Sequence, residues 1–374
     1  MLLALALASS PYAAVQAGTV VPPTVYCVGT VTELRNVLAA IPGTGSFDVR
    51  IRSGYYPLTP PVGGFNVGLE LDMAFGALPG QTGASRISGA WGIGCSQQAE
   101  VITVANATLI DGQNLTGLLS VGSQASIVPT PLTPAFDLQI DRLQFANGAP
   151  PPGFACVRVS RDDDLARNLN VTFDRVRIDL CKSLALNSQA GGPVTVRNSV
   201  FIANEDAFHP GVNISAYEGA ASLYNNTFRL NRMGADSFGA QVRIAGETVY
   251  AFNNLFADAD YGGGTARDIR VVDGTGIIRN NRLAGSVVHQ TSGGLIQSGN
   301  TAVAPGFANP TGPQLAANSA LRDLGLTAAP APGIGTRDIA GSIRVQGAAV
   351  EIGALELAPL ALPDAVFANG FEAP

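Results

Sequence analysis

One short pattern returns six or seven times between Leu138 and Val303, and few folds can use a chain written this way. The copies read LQIDRLQF, VTFDRVRI, VTVRNSVF, ASLYNNTF, VYAFNNLF, GIIRNNRL and, more faintly, IQSGNTAV. Their anchor is the residue that becomes asparagine in the middle copies: Arg142, Arg175, Asn198, Asn225, Asn253, Asn280 and Asn300, at spacings of 20 to 33 residues. Four places before it stand Leu138, Val171, Val194, Ala221, Val249, Gly276 and Ile296; three places after it stand Phe145, Ile178, Phe201, Phe228, Phe256, Leu283 and Val303. The alternation before the anchor is that of a strand, and a helix would not hold its register.

A β-branched, turn-rich unit with no helical face predicts a coiled parallel sheet rather than a helical or leucine-rich solenoid. One coil reads as a strand over 222–224, a bend at Asn225 and Asn226, a second strand over 227–230, a longer loop, and a third strand over 241–245. Asparagine tolerates the left-handed backbone of such a bend, and stacked side-chain amides can bond to one another. Turn chemistry therefore explains these asparagines better than a functional role does.

With these residues on the page, the chain resembles right-handed parallel β-helix proteins of the pectin-lyase-like group, from about Asp48 onward. The resemblance implies an all-β, right-handed parallel β-helix (solenoid), with a short N-terminal capping helix. Residues 30–41 supply that helix: Thr30 and Glu33 form a capping box, Leu34, Val37, Leu38 and Ile41 make one apolar stripe, and Pro42-Gly43 stops it. A solenoid must cover its first coil, which makes the helix a lid.

Only 13% of the 374 residues are charged, while glycine (44) and proline (24) are abundant, as suits an exported solenoid. A net charge of −6 argues against a nucleic-acid scaffold. Residues 1–17 read as a signal peptide without its usual positive start, either truncated or beginning upstream. The run is too short to span a bilayer, and no later run is long enough, so a secreted or cell-envelope protein, monomeric, is expected. The expected organisation is a cap over 18–47, the β-helix over 48–310, a closing segment over 311–357, and a linker with a short terminal tag over 358–374. Cys156 and Cys181 precede the same strand in successive coils, within disulfide reach, which leaves Cys27 and Cys95 to tie the lid to the first coils.

Residues 335–356 resemble the ending of bacterial surface β-helix proteins called choice-of-anchor, in which Asp-x-x-Gly-x-x-Arg precedes an acidic residue, Ile-Gly-Ala and Glu. Asp338, Gly341, Arg344, Glu351, Ile352, Gly353, Ala354 and Glu356 fill that form, with Glu351 in place of the commoner aspartate. Such a segment is expected to close the last coil.

In the pectin-lyase-like group, polysaccharide sites lie on the outer face of the strand after the long loop. Alternation with inward Val157, Leu184, Leu186, Val212, Val242 and Ile269 gives the outward column as Arg158, Ala185, Asn213, Arg243 and Arg270. Arginines this close repel unless an acid lies nearby, either a uronate-bearing glycan or a protein carboxylate such as Asp236, Glu247 or Asp268. A second column, Lys182, Glu205, Arg232 and Asp260, alternates in charge along the axis. Glu205, Asp206 and His209 share one loop and are the candidate catalytic groups, although no family catalytic motif matches residue by residue. Asp162, Asp163 and Asp164 sit in one turn as a candidate calcium site. The expected function is binding of a polysaccharide or cell-surface glycan without catalysis; the alternative is a polysaccharide lyase or glycoside hydrolase acting on an acidic glycan.

Overall fold

A computed structural model of the chain describes residues 23–41, 46–59, 68–73, 83–123, 136–151, 154–161, 169–206, 211–234, 239–290 and 293–358. They form a parallel β-helix. Each complete coil gives one strand to each of three faces, as in Leu169–Asp174, Arg177–Asp179 and Leu186–Ala190. Val242–Phe252 and Arg267–Arg279 run unbroken from the third face onto the first of the next coil. Those two faces therefore join into one 16-stranded sheet, while the second face is a separate 7-stranded sheet.

The registers reproduce the sequence columns. Leu138, Val171, Val194, Ala221, Val249 and Gly276 are successive partners on the first face. On the second face, the rings of Phe201, Phe228 and Phe256 stack inside at centroid distances of 4.9 and 4.7 Å. Burying each such ring stabilises the coil by roughly 1.5–3 kcal/mol. The seventh copy departs by one residue. Leu295, not Ile296, partners Gly276, so Gly299 takes the anchor position with φ +66° and Asn300 moves one place along. Glycine adopts that backbone as easily as asparagine, and a faint copy with a side-chain period of two leaves the slip unmarked.

The other anchors, Arg142 to Asn280, all lie in the left-handed region at φ of 49–58°. The following residue carries the amide ladder: the backbone N–H groups of Asn226, Asn254 and Asn281 donate to the side chains of Asn254, Asn281 and Asn300 at 2.8–3.0 Å. Asn147, Leu180, Ala203, Leu230 and Asp258 make a second left-handed bend, five places after the anchor, in the five coils anchored at Arg142 to Asn253.

The helix Val31–Ala40 caps the first coil as expected: Glu33 N donates to Thr30 Oγ1, Gly29 N donates to Glu33 Oε2, and Leu34 and Leu38 are buried. Both expected disulfides are present, Cys27–Cys95 and Cys156–Cys181, with Cα separations of 5.8 and 6.2 Å. Among the described residues no helix is long and apolar enough to cross a membrane.

The segment after the repeats corrects one expectation. Instead of closing the last coil, it runs back along the outside as a strap. Asn280 donates to Leu324 O, Asn253 to Leu326 O and Asn198 to Ile334 O, each at 2.9 Å. The strap reaches the early coils, where Ile102 N donates to Ala340 O, and then returns past Asn225 to Leu357. The reason lies on the second face, whose outward residues include Val200, Ile202, Leu255 and Ala257. Ile339, Ala354, Leu315, Leu321, Ile352 and Leu357 cover them. At its turn the strap buries Arg344 completely, ion-paired with Glu356 at 3.0 Å. Asp338 accepts from the backbone of Ser342 and Glu356 beside it. The motif residues thus build a buried ionic knot.

Candidate functional site

The third face carries a half-buried polar row. Its outward row runs Arg158, Asn187, Asn213, Arg243 and Arg270, each opposite the next across one strand spacing. Asn187 replaces the expected Ala185, because Leu186 rather than Leu184 aligns with Val157, and Ala185 is buried at the start of its strand. The row is hydrogen-bonded along its length: Asn213 donates to Asn187 Oδ1 at 2.9 Å, and Arg243 donates to Asn213 Oδ1 at 3.0 Å. Arg158 lies over the Phe154 ring, 5.8 Å from its centre.

Arg243 is the exceptional member. Partial burial, and next the charge of Arg270, pull its pKa below the usual guanidinium range, and among the described residues no carboxylate stands within ion-pair distance of it. Of the three carboxylates considered as internal partners, Asp268 is buried and takes hydrogen bonds from Tyr261 at 2.6 Å and Gln241 at 2.8 Å. Glu247 is exposed at the corner of the continuous strand Val242–Phe252, and Asp236 lies outside the described residues.

Arg243 opens into a cleft of about 390 Å³, lined also by Gln189, Ser215, Tyr217, Glu247 and Asp273. The turns after successive third-face strands build its wall. Tyr217 N donates to Ala190 O at 3.0 Å, and Glu247 N donates to Gly219 O at 2.9 Å. Gly274, at φ +75°, packs so closely that an added Cβ would lie 1.8 Å from Gly246 O. Tyr217 is 59% exposed and lines the cleft. The cleft thus joins a guanidinium, without an ion-pair partner among the described residues, to an aromatic surface, two carboxylates and an amide.

The other sequence candidates fall elsewhere. Glu205 and Asp206 form a short strand paired with Arg232–Met233. Arg232 reaches Glu205 at 3.7 Å and Asp260 at 3.5 Å, so the alternating column is an exposed ion-paired row, worth at most about 1 kcal/mol per pair. Lys182 is exposed in the turn after Cys181. Asp206 accepts from Ser183 Oγ at 3.4 Å, and neither it nor Glu205 lines the Arg243 cleft. His209 and Asp162, Asp163 and Asp164 lie outside the described residues.

Sequence reading missed Gln189, Tyr217 and Asp273. Gln189 stands two places beyond the outward row, Tyr217 stands in a bend, and Asp273 stands at the corner of Arg267–Arg279 where the register shifts. The available signal was that Gly246-Glu247 and Asp273-Gly274 follow third-face strands in consecutive coils. Comparison with protein-family models, curated proteins and solved structures gives no match for this chain.

Proposed function

We propose that this protein is a secreted or cell-envelope β-helix that binds an acidic polysaccharide on its third face, without catalysis. The observation that carries the reading is Arg243, a half-buried guanidinium facing a cleft, with no carboxylate paired to it among the described residues. A planar guanidinium takes a uronate carboxylate through two parallel hydrogen bonds. Tyr217 offers a stacking surface, and Gln189, Glu247 and Asp273 suit sugar hydroxyls. Two disulfides agree with an oxidising compartment. The likeness to pectin-lyase-like proteins and to choice-of-anchor endings supports the same assignment.

The test is titration of the folded, oxidised protein with polygalacturonate and alginate at low and high salt. Affinity is expected to fall with salt and to drop about tenfold or more in Arg243→Ala combined with Arg270→Ala, as for loss of a charge-assisted bidentate contact. Unchanged affinity in the folded double variant would end the reading. The cleft's two carboxylates favour one alternative, a hydrolase: turnover of the glycan that disappears in Glu247→Gln and Asp273→Asn would establish it over simple binding.

A further inference from the structure

A second cleft, of about 420 Å³, lies on the first face in the N-terminal half of the solenoid. Its floor is the outward row Asp48, Arg86, Gln139 and Thr172, one residue from each of four neighbouring strands. The charges of its floor and far wall are paired within the protein. Arg86 donates to both oxygens of the buried Asp141 at 2.9 and 2.7 Å and to Gln98 at 2.8 Å. Arg197, at the far wall, is held by Asp174 at 3.0 Å and by the strap carbonyls of Pro332 and Gly333 at 3.3 and 3.2 Å. Asp48 is paired with Arg50 at 2.8 Å.

What the cleft offers outward is different in kind. Gln139 and Thr172 are half-buried, line the floor, and make no side-chain hydrogen bond among the described residues. Asp137 and Asn170 bond to each other at 2.8 Å, which leaves the second carboxylate oxygen of Asp137 to accept from a ligand hydroxyl. No described cation pairs with Asp137, so this end repels an anion.

We infer that the first-face cleft is a second carbohydrate site, separate from the Arg243 cleft, and that it takes a neutral, hydroxyl-rich saccharide. An amide, a hydroxyl and a carboxylate acceptor, spaced by adjacent strands on a rigid sheet, match the alternating donors and acceptors of a sugar ring. With its guanidinium groups already committed, this cleft gains nothing from a uronate.

Calorimetric titration of the full oxidised protein with neutral oligosaccharides (cello-, xylo-, manno- and maltohexaose) tests this at low and high salt. At least one should bind with an affinity that salt leaves unchanged. Gln139→Ala combined with Thr172→Val should weaken it about tenfold, the loss expected for two hydrogen bonds. Both positions point outward, and an unchanged melting temperature checks that the variant folds. Arg243→Ala should leave neutral binding intact, so this site stands or falls independently of the acidic-glycan reading. Absence of binding by all four sugars at millimolar concentration would overturn the proposal, as would undiminished affinity in the folded double variant.

Discussion

In five successive coils the chain turns sharply twice with the same left-handed backbone, yet the two bends use different residues. At the first stand Arg142 and Arg175 and then Asn198, Asn225, Asn253 and Asn280; at the second, Asn147 and then Leu180, Ala203, Leu230 and Asp258. A left-handed residue other than glycine or asparagine costs roughly 1–2 kcal/mol, so backbone preference alone would write asparagine at both. The difference is what lies outside. The strap covers the first bend, burying Asn198, Asn225 and Asn253 fully, and their amides hold its backbone. Leu180 at the second bend is 51% exposed and has no such duty. In this solenoid asparagine is kept where the bend must also bond to something, and the second bend tolerates its strain.

If the strap is held on by its buried knot, the largest effect should come from there. Arg344→Ala leaves Glu356, Glu351 and Asp338 facing a buried cavity, and breaking a buried pair costs about 3–5 kcal/mol. Urea unfolding should show that loss, whereas Arg243→Ala on the third face should stay within about 0.5 kcal/mol of the parent. Equal effects at the two arginines would mean that the strap adds little to the fold.

Next in size is the amide clamp. Asn253→Gly keeps the bend easy but removes the bonds to Leu326 O at 2.9 Å and from Leu326 N at 2.8 Å. Stranding those backbone groups should destabilise by about 1–3 kcal/mol in the same assay.

This division also explains what could be read in advance. Inward columns such as Phe201, Phe228 and Phe256 repeat because one core fills every coil, so architecture was legible. The strap was not, because Arg344 and Glu356 have no periodic partner and meet only after the chain doubles back. Its signal lay instead on the second face, where Val200 and Ile202 flank Phe201, and Leu255 and Ala257 flank Phe256. A strand apolar on both sides is covered on both sides. The outward arginines of the candidate site were legible by alternation, apart from the coil where Asn187 replaces Ala185. Tyr217 sits in a bend and Asp273 at a corner where the strand register shifts, and neither place keeps the period.

The knot should also make stability depend on pH. Burial, with a hydrogen bond to Glu351 next in weight, pushes the Glu356 carboxyl up to about 9 from its ordinary 4.5. A raised folded-state pKa gives stability that is full below about 4.5 and is lost as pH rises towards 9, because the unfolded chain releases that proton first. The slope is bounded by one proton, about 1.4 kcal/mol per pH unit. Glu356→Gln removes the titration, so the fall in unfolding free energy from pH 5 to pH 9 should be shallower than in the parent. A parallel fall in both proteins would locate the dependence elsewhere.

The smallest effect has the opposite sign and bears most directly on the two bends. Leu180 holds φ at +55° with half its surface in water, so its side chain has little packing to lose. Glycine removes the clash of Cβ with the neighbouring carbonyl, but it also adds freedom to the unfolded chain, which offsets part of the gain. Leu180→Gly should therefore stabilise by up to about 1 kcal/mol and raise the melting temperature slightly, while Asn253→Gly, at φ +58°, lowers it. Two substitutions to the same residue, in the same backbone conformation, should move stability in opposite directions. If both destabilise, packing of Leu180 outweighs its strain, and the second bend is as tightly specified as the first.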